Sequence, residues 1–184
     1  MFFWFGKTFG GLMKFDLWSK TLLRSYGMLD KAIGSIDKTF ERIVSSSRCA
    51  SSYDTLFNGT ELIADKLLNL IQKKKILVKT QDLVNDILNN MDEYHAKLLV
   101  LKYIKNISNE ELSAIFEKSV RTVLRHSLIA LDEFGTALEL SGMTPTDFMD
   151  AYLEQKWILE IYKKIEKEEV VYAKRTENHY NKSN

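Results

Sequence analysis

The sequence predicts an all-α fold. Three observations carry that prediction: a single proline in 184 residues, only eight glycines, few of them inside periodic segments, and apolar residues recurring at intervals of three and four along most of the chain. With 45% hydrophobic and 28% charged residues the composition is that of a globular protein, and the length suits one domain or a loose pair of small helical modules. Twenty-six Lys and Arg against 25 Asp and Glu leave a net charge of +1. That excludes a simple polycation and makes any nucleic-acid contact a matter of local placement. Cys49 is the lone cysteine, and His95, His126 and His179 are scattered, so neither a disulfide nor a zinc-spaced ligand set is expected. No cofactor is expected, and a reducing cytoplasm is the expected location.

The opening 1–15, MFFWFGKTFGGLMKF, is apolar and aromatic, but Lys7 and Lys14 bound a stretch short of the ~20 residues that span a bilayer. It also lacks the basic start, aliphatic core and small-residue cleavage motif of a signal peptide, so no membrane partner is expected. Gly10 and Gly11 read equally well as a translated ribosome-binding site, which leaves Met1 and Met13 both open as starts. Residues 16–90 are expected to form a helical N-terminal region. In it Leu22, Tyr26, Leu29, Ile33, Ile36, Phe40 and Ile43 alternate at four and three, a heptad seam on one long helix. The seam packs either on a later helix of this chain or on a second copy of it. Gly27 and Gly34 weaken that helix by ~1 kcal/mol each. Ser45 to Asp54, SSSRCASSYD, reads as a flexible connection. Thr60 is expected to cap a second helix running through Leu62, Ile63, Leu67, Leu70 and Ile71 to Lys73, Lys74 and Lys75, and Thr80 to cap a short one carrying Leu83, Val84, Ile87 and Leu88.

Residues 91–140 form the next unit. Asp92 can cap a helix in which Leu98, Leu101 and Ile104 share a face, and Asn106 suits a left-handed stop. Ser108 and Glu111 make an S-x-x-E capping box, opening a short helix that buries Leu112, Ile115 and Phe116. Ser119 can cap another helix only three residues later. Two helices joined so tightly cannot be collinear, and the helix-turn-helix arrangement is expected. In the third helix Val120, Val123, Ala130, Leu131 and Phe134 should face inward, leaving Arg121, Thr122, Arg125 and His126 outward on the first two turns. These residue types reach phosphates and base edges from the N-terminal half of a helix. In 141–170, Thr144, Pro145 and Asp147 begin a helix burying Phe148, Tyr152, Trp157 or Ile158, Ile161 and Ile165 to about Glu168. The tail 171–184 is polar and unperiodic, and is expected to lack regular structure.

The stretch YHAKLLVLKYIKNISNEELSAIFEKSVRTVLRHSLIALDEF resembles the helix-turn-helix of sigma-factor region four, in particular the sigma-like phage and bacterial regulators of the ArpU and RinA type. The likeness lies in the L-x-Y-I lead, the S-x-E-E-L start, the S-V-R-T-V-x-R helix and the trailing A-L-x-x-F, and covers about forty residues. It implies a sequence-specific regulator of transcription that binds double-stranded DNA, with Ser119, Arg121, Thr122, Arg125 and His126 at the interface. Ser113 stands where the family usually has alanine, and Glu117 where it usually has glycine; a positive φ at Glu117 costs roughly 1 kcal/mol. A palindromic target calls for a homodimer, which the 22–43 seam or the C-terminal helix can supply. The alternative is a helical interaction module that binds a protein such as RNA polymerase without touching DNA. An enzyme is not expected, because no nucleophile, base and orienting acid fall at useful spacing and no phosphate-cradling glycine loop is present.

Overall fold

The computed structural model describes residues 12–47, 56–142, 152 and 155–180. The fold is all-helical, with no strand among the described residues. In chain order the elements are α1 (Leu12–Ser47), α2 (Leu56–Asn90), α3 (Glu93–Leu99), which runs directly into a π turn at Val100–Ile104, α4 (Asn109–Ile115), α5 (Val120–Leu140) and α6 (Lys156–Tyr180). The chain divides into two compact units, one comprising Tyr26–Asp86 and the other the residues up to Ser25 together with those from Ile87 onward.

The Tyr26–Asp86 unit is a helical hairpin. Three side-chain pairs fix α1 against α2: the Tyr26 hydroxyl donates to Asn85 Oδ1, Gln81 Nε2 to Asp30 Oδ1 at 2.7 Å, and Lys74 Nζ to Asp37 Oδ1 at 2.6 Å. Advancing four and then seven residues along α1 moves four and then seven back along α2, so the strictly antiparallel register holds over the whole span. Leu29, Leu77 and Val84 are fully buried along it. Each such side chain contributes roughly 1.5–3 kcal/mol, whereas the half-exposed Lys74–Asp37 pair contributes at most about 1, so apolar burial supplies the stability and the polar pairs select the register. Of the heptad seam expected on α1, Leu29 is fully buried in this unit, while Tyr26, Ile33, Ile36, Phe40 and Ile43 are half-buried.

Two expected boundaries are not there. α2 is a single helix from Leu56 to Asn90, so neither Thr60 nor Thr80 is a cap. Residues 60–90 hold no glycine or proline to break the helix, and the buried Thr80 satisfies its hydroxyl on the Ile76 carbonyl one turn back at 2.8 Å. Likewise α1 continues through Ser45 and Ser46, whose hydroxyls donate to the carbonyls of Glu41 and Ile43. The remainder of the expected connection, 48–54, lies outside the described residues, as do the apolar segment 1–11 and the Thr144 helix start.

In the other unit, the first turns of α1 bury Trp18, Leu22 and Leu23 with Ser19, Thr21 and Ser25. Lys20 pairs with Glu169 at 2.6 Å and Arg24 with Glu168 at 2.9 Å, joining α1 to α6. α6 buries Ile158 and Ile165 and continues to Tyr180, ten residues into the tail expected to lack regular structure.

The π turn also moves a face. Of Leu98, Leu101 and Ile104, expected to share the inner surface, Leu98 is fully buried and Leu101 packs against the core, while the widened turn rotates the residues after Val100 so that Tyr103 is buried and Ile104 only half-buried; Leu99 is buried as well. Lys105 N–H donates to the Val100 carbonyl and Ile107 N–H to that of Leu101, and Asn106 takes the left-handed stop with φ of 56°. Half-buried Lys102 sits in this turn, where burial and then Lys20 lower its pKa to about 8.

Candidate functional site

The segment from Asp92 to Leu140 is built by side chains that bond their own backbone. Asp92 accepts the His95 amide at 3.1 Å and starts α3. Ser108 and Glu111 close a complete capping box at α4: the serine oxygen accepts the Glu111 amide at 3.2 Å, and the glutamate accepts the Ser108 amide at 3.0 Å. Those bonds from the Ser108 backbone and then its hydroxyl hold the Glu111 carboxyl below its usual pKa. Ser119 starts α5 by accepting the Thr122 amide at 3.2 Å. Leu98, Leu112 and Val123, one from each helix, form a fully buried core with Tyr94, Leu101, Ile107 and Phe116 around it.

Between α4 and α5 the chain turns within a few residues. Glu117 adopts φ of 51°, its amide donating to Ala114 O at 3.4 Å, and the Lys118 amide donates to Ser113 O at 3.1 Å. The Ser113 hydroxyl donates to the Lys118 carbonyl, so the serine where alanine was expected locks the turn from its far side. Ile115, expected inside, is half exposed. Leu112 and Phe116, one turn apart, take the inner face and leave Ile115 beside it.

The predicted interface residues divide into two groups. Arg121 and Arg125 are exposed on the outer side of α5, while Thr122 and His126 are half-buried. Ser119 is exposed, but its hydroxyl is engaged by the Thr122 amide and hydroxyl. His126 packs edge-on against the Tyr94 ring at 5.3 Å and near His95 at 5.8 Å, with Nδ1 shielded and unpartnered. Desolvation, then Lys118, His95 and Arg125, lower its pKa below that of an ordinary histidine, so at neutral pH it is an uncharged ring supporting the helix. His95 Nδ1 in turn lies 2.8 Å from Glu133 Oε2.

Lys118 was not singled out in the sequence. Its ammonium sits over the Tyr94 ring, 4.1 Å from the centroid, which holds a third cation at the mouth of the turn beside Arg121 and Arg125. The other omissions are Leu124 and Leu128, 37% and 58% exposed on α5. Their spacing of three and seven from Arg121 places them on its face, a signal that was present in the sequence. Asp132 and Glu133 follow, so the positive character of α5 is confined to its first turns.

This surface offers guanidinium forks, one ammonium and apolar side chains. Among the described residues no three His, Cys, Asp or Glu side chains gather as a metal site. No described helix is long and apolar enough to cross a membrane. Comparison with protein-family models, characterised proteins and solved structures returned no match.

Proposed function

We propose that this protein is a sequence-specific double-stranded DNA-binding regulator of transcription, using residues 109–126 as a sigma-like helix-turn-helix. The observation that carries the reading is the pair Arg121 and Arg125, exposed one turn apart on the outer face of a helix whose inner face is locked by Val123. Such a face can enter the major groove with a guanidinium fork on a guanine edge or a phosphate. Lys118 supports it as a backbone contact from the turn. His126, by its packing, supports the helix rather than reading a base.

The test is fluorescence anisotropy of a randomised duplex pool at two salt concentrations, with sequencing of the retained fraction. The expected result is an enriched motif with salt-dependent affinity, and a loss of about 1–3 kcal/mol on Arg125→Ala. Retention without enrichment, or no retention at low salt, refutes the reading. The Glu117 carboxylate in the turn favours a second reading, a docking module for RNA polymerase that makes no DNA contact of its own. Capture of polymerase subunits from nuclease-treated extract, in the absence of duplex binding, selects it.

A further inference from the structure

Leu124 and Leu128 are one turn apart on α5, beside the two outward arginines, and remain 37% and 58% exposed, with Ile129 next to them 40% exposed; Leu131 and Leu138 of the same helix are buried, and Leu140, its last residue, is exposed. The helix continues past them on its outer side with Asp132, so the pair forms a short apolar strip interrupting an otherwise charged face. We infer that this strip is a base-reading element that packs on thymine methyl groups while Arg121 or Arg125 takes the adjacent guanine. The inference rests on the DNA-binding reading above and deepens it by naming the base that two uncharged side chains select.

The occupant follows from charge and chemistry. Arg121, Arg125 and Lys118, all within eight residues, call for an anionic partner, which a duplex supplies along both rims of its groove. A leucine side chain neither donates nor accepts a hydrogen bond, and the thymine C5 methyl is the apolar group that the major groove presents. Nor is the strip required by the fold. The core of this segment is closed by Leu98, Leu112 and Val123, and neither leucine belongs to it. Substituting either one is therefore expected to leave the unit folded.

The test changes the DNA as well as the protein. Duplexes enriched from the randomised pool are resynthesised with deoxyuridine replacing thymidine, which removes the methyl and leaves base pairing intact. Titrations then compare wild type with Leu124→Ala and Leu128→Ala, circular dichroism confirming their helicity. The enriched motif should place thymine next to guanine. Wild type should lose roughly fourfold in affinity per contacted methyl, and at least one variant should bind thymine and uracil duplexes equally. Salt-dependent binding of wild type that ignores the exchange overturns this inference and leaves the DNA-binding reading standing. Absence of binding to any duplex overturns both and assigns the strip to a protein partner.

Discussion

Replacing Glu117 by glycine should stabilise the protein, and replacing it by alanine should not. Glu117 holds φ of 51° in a turn fixed from both sides by the Glu117 and Lys118 amides and the Ser113 hydroxyl, so the backbone cannot relax toward a commoner conformation. A Cβ in this left-handed region costs about 1–2 kcal/mol. Glycine removes that cost and adds roughly 0.5–1 kcal/mol of unfolded-state entropy, which leaves a net gain of about 0.5–1. At this chain length that corresponds to a rise in Tm of roughly 1–4 °C. Alanine keeps the Cβ and so keeps the strain. The decisive comparison is glycine against alanine: in a helix interior alanine is favoured by roughly 0.5–1 kcal/mol, and here the order should invert. Urea and thermal melts of the three proteins measure it, and an alanine variant as stable as the glycine variant would refute the account of the turn. Glu117→Gln isolates the charge: melting should be unchanged, while on the proposed DNA-binding function duplex affinity should rise at low salt and the gain should fade as salt is added.

Three further outcomes are expected. Leu112→Ala, at the centre of the core with Leu98 and Val123, should cost about 2–5 kcal/mol by urea unfolding, and a cost below about 1 would mean that α4 is not packed as described. His126 should titrate by NMR below the ordinary histidine value of about 6.5. Because folding lowers its pKa, the unfolded state binds the proton more readily, so this group's share of stability is full above the ordinary value and is lost as pH falls through it toward the folded pKa. Removing the Lys118 charge should raise the midpoint; a wild-type midpoint at or above the ordinary value contradicts the packing of His126 against Tyr94. Lys102, with a pKa of about 8, disfavours the folded state whenever it is charged, a cost complete below that pH and fading as pH rises from about 8 toward 10.5. Lys102→Met should therefore stabilise the protein at pH 7 by about 2 kcal/mol after allowance for its partial exposure, and unchanged stability would place the ammonium in open water.

What could be read from the sequence was whatever a residue does to its own neighbours. Asp92, Ser108 and Ser119 each bond an amide three residues ahead, and Asn106 ends a helix by its own conformation, so each helix start and stop in 92–120 is encoded within a few positions. Arg121 and Arg125 followed from the same helical phase. The errors lie where distant residues decide. Thr80 has the composition of a cap, but it is buried in a continuous helix and bonds its own preceding turn, so burial overrode its local preference. The π turn at Val100–Ile104 rotates the side chains that follow α3, and no periodic template anticipates a single wide turn. His126 was assigned to the surface by phase, yet its orientation is set by Tyr94, 32 residues earlier. Leu124 and Leu128 went unassigned because apolar residues in a helical pattern are ordinarily read as core.

The constant pairing of α1 with α2 makes the hairpin a ruler whose graduations are heptads. Deleting seven residues from each arm, chosen as partners in that register, should shorten the hairpin by about 10 Å and return every remaining apolar side chain to an equivalent neighbour. Deleting one residue from a single arm turns that arm's inner face through about 100° and sets leucines against aspartates. Length in this arm of the protein is therefore free to evolve, but only in steps of two turns.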